Sequence, residues 1–318
     1  MTTRLVIFAD LENVASRVLV PQLLRCLQGR SDVVCVGIVT TDYAGYGEAL
    51  RHHWIARGKR RLQWALGSGC LERSLRVRPL PIERLAKACG AAALVAPGGD
   101  PNHFSLIEQL QQGLNAEVAI NFYCKKRFRE TLLASFAMTV NYHNGLLPRF
   151  RGLRASNWSI YVDELASGFT FHRMDAGMDT GGILLEGRVP MLHLETPADL
   201  ELRKAEAASR ELPRILDALV RRAPGRRQVG MGGEHTLQDF IRVTQVEDPS
   251  ALSREEWVRR LRAFLRIRTR IAGHWLNITG LAPASKPGAL GFRTCDGHWL
   301  RVVSTDFWPV WITRAGKD

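Results

Sequence analysis

The chain has 318 residues, 46% hydrophobic and 24% charged, enough to build a buried core and unlike a disordered or low-complexity polymer. No apolar run nears the roughly 18 residues of a membrane span. Asp10 follows MTTRLVIFA too soon for a secretory h-region, so no membrane partner is expected and cytoplasm is the expected compartment. The net charge of +13 comes from 44 basic residues, 37 of them Arg, a bias that GC-rich coding produces. Residues 201–318 carry 21 basic against 13 acidic side chains, a surplus of 8. Such a field concentrates anions in general and does not separate nucleic acid from sugar phosphate or a polyglutamylated cofactor. The six cysteines (26, 35, 70, 89, 124 and 295) include no C-x-x-C pair, so neither a zinc ribbon nor a disulfide scaffold is expected, and metal ligation is not either.

In chain order, Leu5–Phe8 and Val33–Val39 are apolar runs without polar alternation, as in strands buried on both faces of a parallel sheet. Ala92–Val95 and Val118–Ile120 supply two more. Between them Asn102, followed by Leu106, Ile107, Leu110 and Leu114, predicts a capped amphipathic helix. This alternation predicts a Rossmann-like, doubly wound, mostly parallel α/β sheet. From 138 to 191 the pattern turns to strand and loop: MTVNYHNG, GFTFHRMD and ILLEGRVPM. Thr196-Pro197 opens a helix that runs through Leu212, Ile215, Leu216 and Leu219, before the linker-like APGRRQVGMGGEH. Ser253 and Glu256 read as a capping box, with Trp257, Val258, Leu261, Phe264 and Leu265 as the buried stripe of the helix behind it. Strands are expected at His274–Thr279 and His298–Val303. The expected division is a catalytic domain over 1–205, a helix end and linker over 206–235, and a smaller, β-rich α+β domain over 236–318.

Two polar clusters stand out. In Asn141-Tyr142-His143-Asn144-Gly145-Leu146-Leu147-Pro148, Asn141 and His143 are two apart and share one face of a strand. Gly145 and Pro148 then end that strand at the edge of an α/β sheet where ligands bind. A carboxamide beside an imidazole offers an oxyanion donor and a proton acceptor. Taken alone, the triplet reads more readily as a turn cap and a satisfied core histidine. The second cluster, Gly168 to Gly182, sets Asp175 and Asp179 four apart in a Gly-rich loop that lacks the EF-hand pattern.

Together the clusters resemble the folate-dependent formyltransferase family, the methionyl-tRNA and amino-sugar formyltransferases in particular. The family signature is N-x-H-x-x-L-L-P, then G-x-T-x-H, then D-x-G. It stands here as Asn141-x-His143-x-x-Leu146-Leu147-Pro148, Gly168-x-Thr170-x-His172 and Asp179-Thr180-Gly181. The resemblance is specific over 116–191, loose before it, and resumes weakly at 250–305. It implies Asn141, His143 and Asp179 as the catalytic residues, with His143 protonated and Asp175 the rival carboxylate. It implies 10-formyltetrahydrofolate as co-substrate, held at Phe122, Tyr123, Cys124, Met174, Asp175 and Gly177. Arg151, Arg154 and His172 are expected at the acceptor side. The implied reaction is N-formylation of a primary amine of a small molecule (an amino sugar, a sugar nucleotide or a biosynthetic amine). Initiator tRNA is the alternative acceptor, and a non-catalytic ligand- or RNA-binding protein on the same scaffold is the remote one. Ala9-Asp10-Leu11-Glu12-Asn13 replaces the Gly-Ser-rich phosphate loop of glycinamide ribonucleotide formyltransferases with two acids, which disfavours that substrate.

Overall fold

The computed structural model describes residues 2–11, 13–41, 81–124, 126–193, 195–230, 232–285, 288 and 290–305. Glu12 and Cys70, named above, lie outside the described residues. The described residues form two compact units. The first takes those of Met1–Gly152, Leu165–Met191 and Ala198–Glu234; the second takes Leu153–Glu164, Leu192–Pro197 and His235–Asp318.

The first unit is built on strands β1 (Thr3–Ala9), β2 (Val33–Thr40), β3 (Ala92–Val95), β4 (Val118–Phe122), β5 (Met138–His143), β7 (Ala166–Arg173) and β8 (Ile183–Pro190), with a short β6 (Phe150–Gly152) outside the main sheet. Their order is β3-β2-β1-β4-β5-β7-β8. β3 through β5 are parallel, while β7 and β8 are added antiparallel. Strand order reverses at β1, the switch point that opens a crevice beyond the carboxyl ends of the strands. The apolar runs are buried on both faces because each face has its own core. Leu5, Ile7 and Ala9 face one cluster, while Val6 and Phe8 face the other, the two-residue alternation of a strand. Phe8, Leu5 and Ile7 are each fully buried, and side chains of this kind stabilise by about 1.5–3 kcal/mol each. β5 follows the same rule. Met138, Val140 and Tyr142 enter the first cluster, which turns Asn141 and His143 to the opposite face.

Three expectations change. Asn102 does not cap the helix Phe104–Glu108, whose N-cap is His103. Instead its side chain donates to the Arg127 carbonyl at 2.9 Å and accepts from the Arg129 amide at 2.6 Å, so a loop spends the cap. The helix from Pro197 is two helices, Pro197–Ser209 and Leu212–Val220. Pro213 sits in the first turn of the second, where its missing N–H is tolerated, whereas a continuous helix would lose a hydrogen bond there. Third, the first unit does not end at 205 but runs on to Glu234, and the second takes up the chain from His235. Leu212, Ile215, Leu216 and Leu219 belong to the first core, and Leu153–Glu164 belongs to the second unit.

The second unit carries a five-stranded sheet built from Gln245–Val246, Ile267–Ile271, His274–Ala284, Trp299–Thr305 and Gly291–Arg293, in that spatial order. Helix Arg254–Phe264 buries Trp257, Ala263 and Phe264. Val258, expected in the stripe, is 56% exposed, because the buried arc is centred one position away. Ser253 accepts from the Glu256 amide at 3.1 Å, while the Glu256 carboxylate is taken by Arg260 and by Tyr161 of helix Ala155–Tyr161. The reciprocal capping box is found instead at Thr236 and Asp239. Asn157 further ties the two helices by donating to the Ala263 carbonyl at 2.7 Å.

Candidate active site

The site is assembled on β5, β7 and the loop after β7. In register, Asn121 of β4 lies beside Asn141 of β5, and Asn141 lies beside His172 of β7. The Asn121 amide donates to Asn141 Oδ1 at 2.8 Å, and Asn121 Oδ1 accepts from the Cys124 amide at 3.0 Å. With its oxygen thus occupied, Asn141 turns its NH2 outward. That group stands 3.1 Å from His172 Nε2 and 3.4 Å from Asp179 Oδ1.

His143 is held by the turn that follows its own strand. Its Nε2 lies 2.5 Å from the Phe150 carbonyl oxygen. A carbonyl can only accept, so Nε2 carries the proton and Nδ1 is the open nitrogen. Nδ1 lies 3.4 Å from Asp179 Oδ2. Burial pushes the His143 imidazole below its ordinary value. The Asp179 carboxylate pulls it back, while His172 and the Lys204 ammonium push with burial. Nδ1 is therefore the nitrogen placed to accept a proton beside Asp179. Once Nδ1 takes a proton, the cation meets the carboxylate directly.

Burial works against ionisation of Asp179, but the His143 and His172 rings and the Gly152 amide outweigh it and hold the carboxyl well below the usual carboxylate range. The Gly152 amide donates to Oδ2 at 2.8 Å. Asp179 adopts φ +54, the left-handed region that Asp tolerates better than most residues. Gly181 is needed two residues on, because a Cβ there would sit 2.0 Å from the Arg173 carbonyl oxygen. Gly168 answers a similar demand: its Cβ would lie 2.2 Å from the Gly187 oxygen. Thr170 Oγ1 donates to the Gly145 carbonyl at 2.7 Å and accepts from the Leu147 amide at 3.2 Å, pinning the turn whose Leu147–Pro148 peptide is cis.

The structure thus brings together Asn141, His143 and Asp179. It adds His172, expected at the acceptor side, as a fourth member, 2% exposed and with Nδ1 donating to the Arg173 carbonyl at 2.7 Å. Asp175, the rival carboxylate, is exposed and caps its own loop through the Gly177 amide and the Thr180 hydroxyl.

The two segments named for the co-substrate do meet, since the Arg127 guanidinium donates to the Ala176 carbonyl. Phe122 is a correction. Its side chain is fully buried in the first core, and its carbonyl is taken by the Asp10 amide and the Ser16 hydroxyl. Tyr123 is likewise turned inward, its ring 6.0 Å from that of Tyr142. Cys124 and Met174 pack half-buried against the second cluster, and Gly177 is exposed. Arg151 donates to Gln228 Oε1 at 3.0 and 2.6 Å. Arg154 lies in the second unit with its guanidinium 4.2 Å from the centroid of the Phe240 ring.

Gln228 carries no sequence signal. Its NH2 donates to the carbonyls of Asp179 at 2.7 Å and Gly181 at 2.9 Å, bracing the turn from a segment that reads as linker. Asn121, buried within an apolar strand, was legible as a polar break in V-A-I-N-F. Among the described residues no group of three or more His, Cys, Asp or Glu could hold a metal ion.

Residues 102–216, which contain every member of this cluster, match the family model described as Formyl transferase. Over those residues the chain is similar to formyl transferases. Over 92 residues it is 37% identical to the GDP-perosamine N-formyltransferase of Brucella melitensis, a match covering 29% of this chain and 36% of that protein. The chain therefore spans about a third of that relative's length. It is 28% identical over 230 residues to the methionyl-tRNA formyltransferase of Nitrobacter hamburgensis, covering 72% of this chain and 67% of that one. In fold it is similar to a sugar N-formyltransferase from a Shewanella species, with a TM-score of 0.61 at 17% identity over 90% of this chain and all of that one. An N-formyltransferase from Helicobacter canadensis, solved with folinic acid and dTDP-3-aminofucose, gives a TM-score of 0.58 at 14% identity over 95% of this chain and 99% of that one. The matched region is thus seated on the sheet described above, with its signature residues on β5, β7 and the loop that follows.

Proposed function

We propose that the protein is an N-formyltransferase that moves the formyl group of 10-formyltetrahydrofolate to a primary amine of a small molecule, with an amino sugar or sugar nucleotide as the acceptor class. The observation that carries this reading is that the Asn141 amide and the open nitrogen of His143 each lie 3.4 Å from a carboxylate oxygen of the ionised Asp179. That donor set suits attack by an amine on a formyl carbon, so the residues fit the co-substrate, which supplies an electrophilic carbon and a leaving nitrogen. The Asn141 NH2 donates a hydrogen bond to the oxygen that gains negative charge, and one such donor is worth about 2.7–4 kcal/mol. His143 takes the amine proton at Nδ1 and returns it toward the departing nitrogen. Asp179 stabilises the imidazolium in between. The carbon–nitrogen bond to the acceptor forms as the one to the folate breaks. Binding of the folate is assigned to the segments around 123–127 and 173–179, and the side chains of Arg151 and Arg154 are the candidate anion contacts for the acceptor.

A small acceptor is favoured over tRNA by the helix Arg254–Phe264. Three of its four arginines are paired within the unit: Arg259 with Glu255, Arg260 with Glu256 and Arg262 with Asp163. The tRNA reading draws instead on the strand Ile267–Ile271, where Arg268 and Arg270 alternate outward and Arg268 lies over Trp275. Incubation with 10-formyltetrahydrofolate and either amino-sugar nucleotides or Met-tRNA, read by mass spectrometry, separates the two. Formylated sugar is the expected product. Efficient formylation of Met-tRNA alone, with a steep loss of affinity in salt, replaces this reading with the second, and no product from any amine refutes both.

A further inference from the structure

Lys204 is fully buried, an expensive place for an ammonium unless it is doing something specific there. It lies on helix Pro197–Ser209, and its Nζ donates to the main-chain carbonyl of Asn144 at 2.8 Å. Glu201, three residues earlier and so on the same helix face, accepts from the side-chain amide of the same Asn144 at 3.0 Å. One helix turn therefore grips one residue twice, through its backbone and through its side chain. That residue is the one directly after His143. It opens the loop that supplies both the Phe150 carbonyl to His143 and the Gly152 amide to Asp179.

We propose that Lys204 and Glu201 form a positioning clamp that fixes the His143 ring through Asn144. The role rests on the formyltransferase reading, but the clamp itself can be tested without it. Four groups face His143: Asp179 from the loop after β7, His172 from β7, the Phe150 carbonyl from β6 and Lys204 from the helix. Of these, Lys204 is the one lysine. It disfavours the imidazolium, opposing Asp179, so the pair holds the ring between acceptor and donor. Glu201 has a second duty, since burial and its charge push the phenols of Tyr123 and Tyr142 well above their ordinary values.

The test is Lys204→Met, which keeps length and burial but removes the charge and the donor. In the full chain, the His143 ring signals, assigned with His143→Gln, are followed by NMR against pH. The expected result is titration at higher pH than in the unchanged protein. The acid limb of kcat/KM should rise with it, and kcat should fall about ten- to hundredfold with KM little changed. Glu201→Gln, which retains an acceptor for Asn144, should keep more activity than Glu201→Ala. Should Lys204→Met fail to fold, the Glu201 pair and the ring signals of Asn144→Ala carry the same question. Unchanged His143 titration in a folded Lys204→Met variant overturns the clamp whatever the enzyme does. Shifted titration in a protein with no transferase activity upholds the clamp while refuting the function.

Discussion

Asp179→Asn exchanges a carboxylate for an amide of nearly the same shape, and no orientation of that amide suits its surroundings. Placing NH2 at the Oδ2 position sets it against the donating amide of Gly152, 2.8 Å away. Placing it at the Oδ1 position sets it against the NH2 of Asn141 at 3.4 Å. Either way a donor meets a donor, and the imidazolium of His143 loses its counter-charge at 3.4 Å. The expected loss in kcat/KM is about 10²–10⁴-fold, or about 2.7–5.4 kcal/mol of transition-state stabilisation. His143 should titrate at lower pH, since the group that raises its proton affinity is gone. Folding should survive, because the substitution removes a buried charge without opening a cavity. The assay is formation of formylated amine by mass spectrometry alongside a melting curve and the ring signals of His143. Activity within tenfold of the unchanged protein, with His143 titrating as before, refutes the assignment of Asp179.

In the proposed reaction His143 accepts a proton at Nδ1, and burial depresses its proton affinity. The acid limb of kcat/KM should therefore lie below the ordinary imidazole value of about 6.5, and a limb above it contradicts the tautomer argument. By the same linkage this ring contributes stability that is present above that ordinary value and lost as pH falls through its lower folded-state value, because the unfolded chain binds the proton first. Gln228→Ala removes the two donors bracing the Asp179 turn. It should lower kcat roughly tenfold while costing only about 1–2 kcal/mol of stability by denaturant melting. Thr170→Val strips one donor and one acceptor from the Gly145–Leu147 turn and should destabilise by about 1–3 kcal/mol, an effect a thermal melt resolves.

The parallel sheet was legible because its strands are apolar without alternation, and two-sided burial leaves that mark on residues such as Val6 and Phe8. The cluster was legible because Asn141 and His143 share a strand face and, with Asp179-Thr180-Gly181, match the signature that carries the family resemblance. What stayed hidden is long-range. Gln228 braces Asp179 from 49 residues away and Lys204 holds Asn144 from 60, and no local pattern encodes a partner at that distance. Phe122 misled because a strand-end aromatic before a loop can face either side, and strand parity sends this one into the core. The tautomer of His143 was hidden as well, since it depends on the Phe150 carbonyl rather than on the identity of the residue.

The most direct measurement supplies 10-formyltetrahydrofolate labelled with carbon-13 in its formyl group, together with an amino-sugar nucleotide, and follows the labelled carbon by NMR. The expected result is a formamide signal that grows with the unchanged protein and vanishes with a folded His143→Ala variant. A formamide signal growing equally in both, or in neither, contradicts transfer by Asn141, His143 and Asp179.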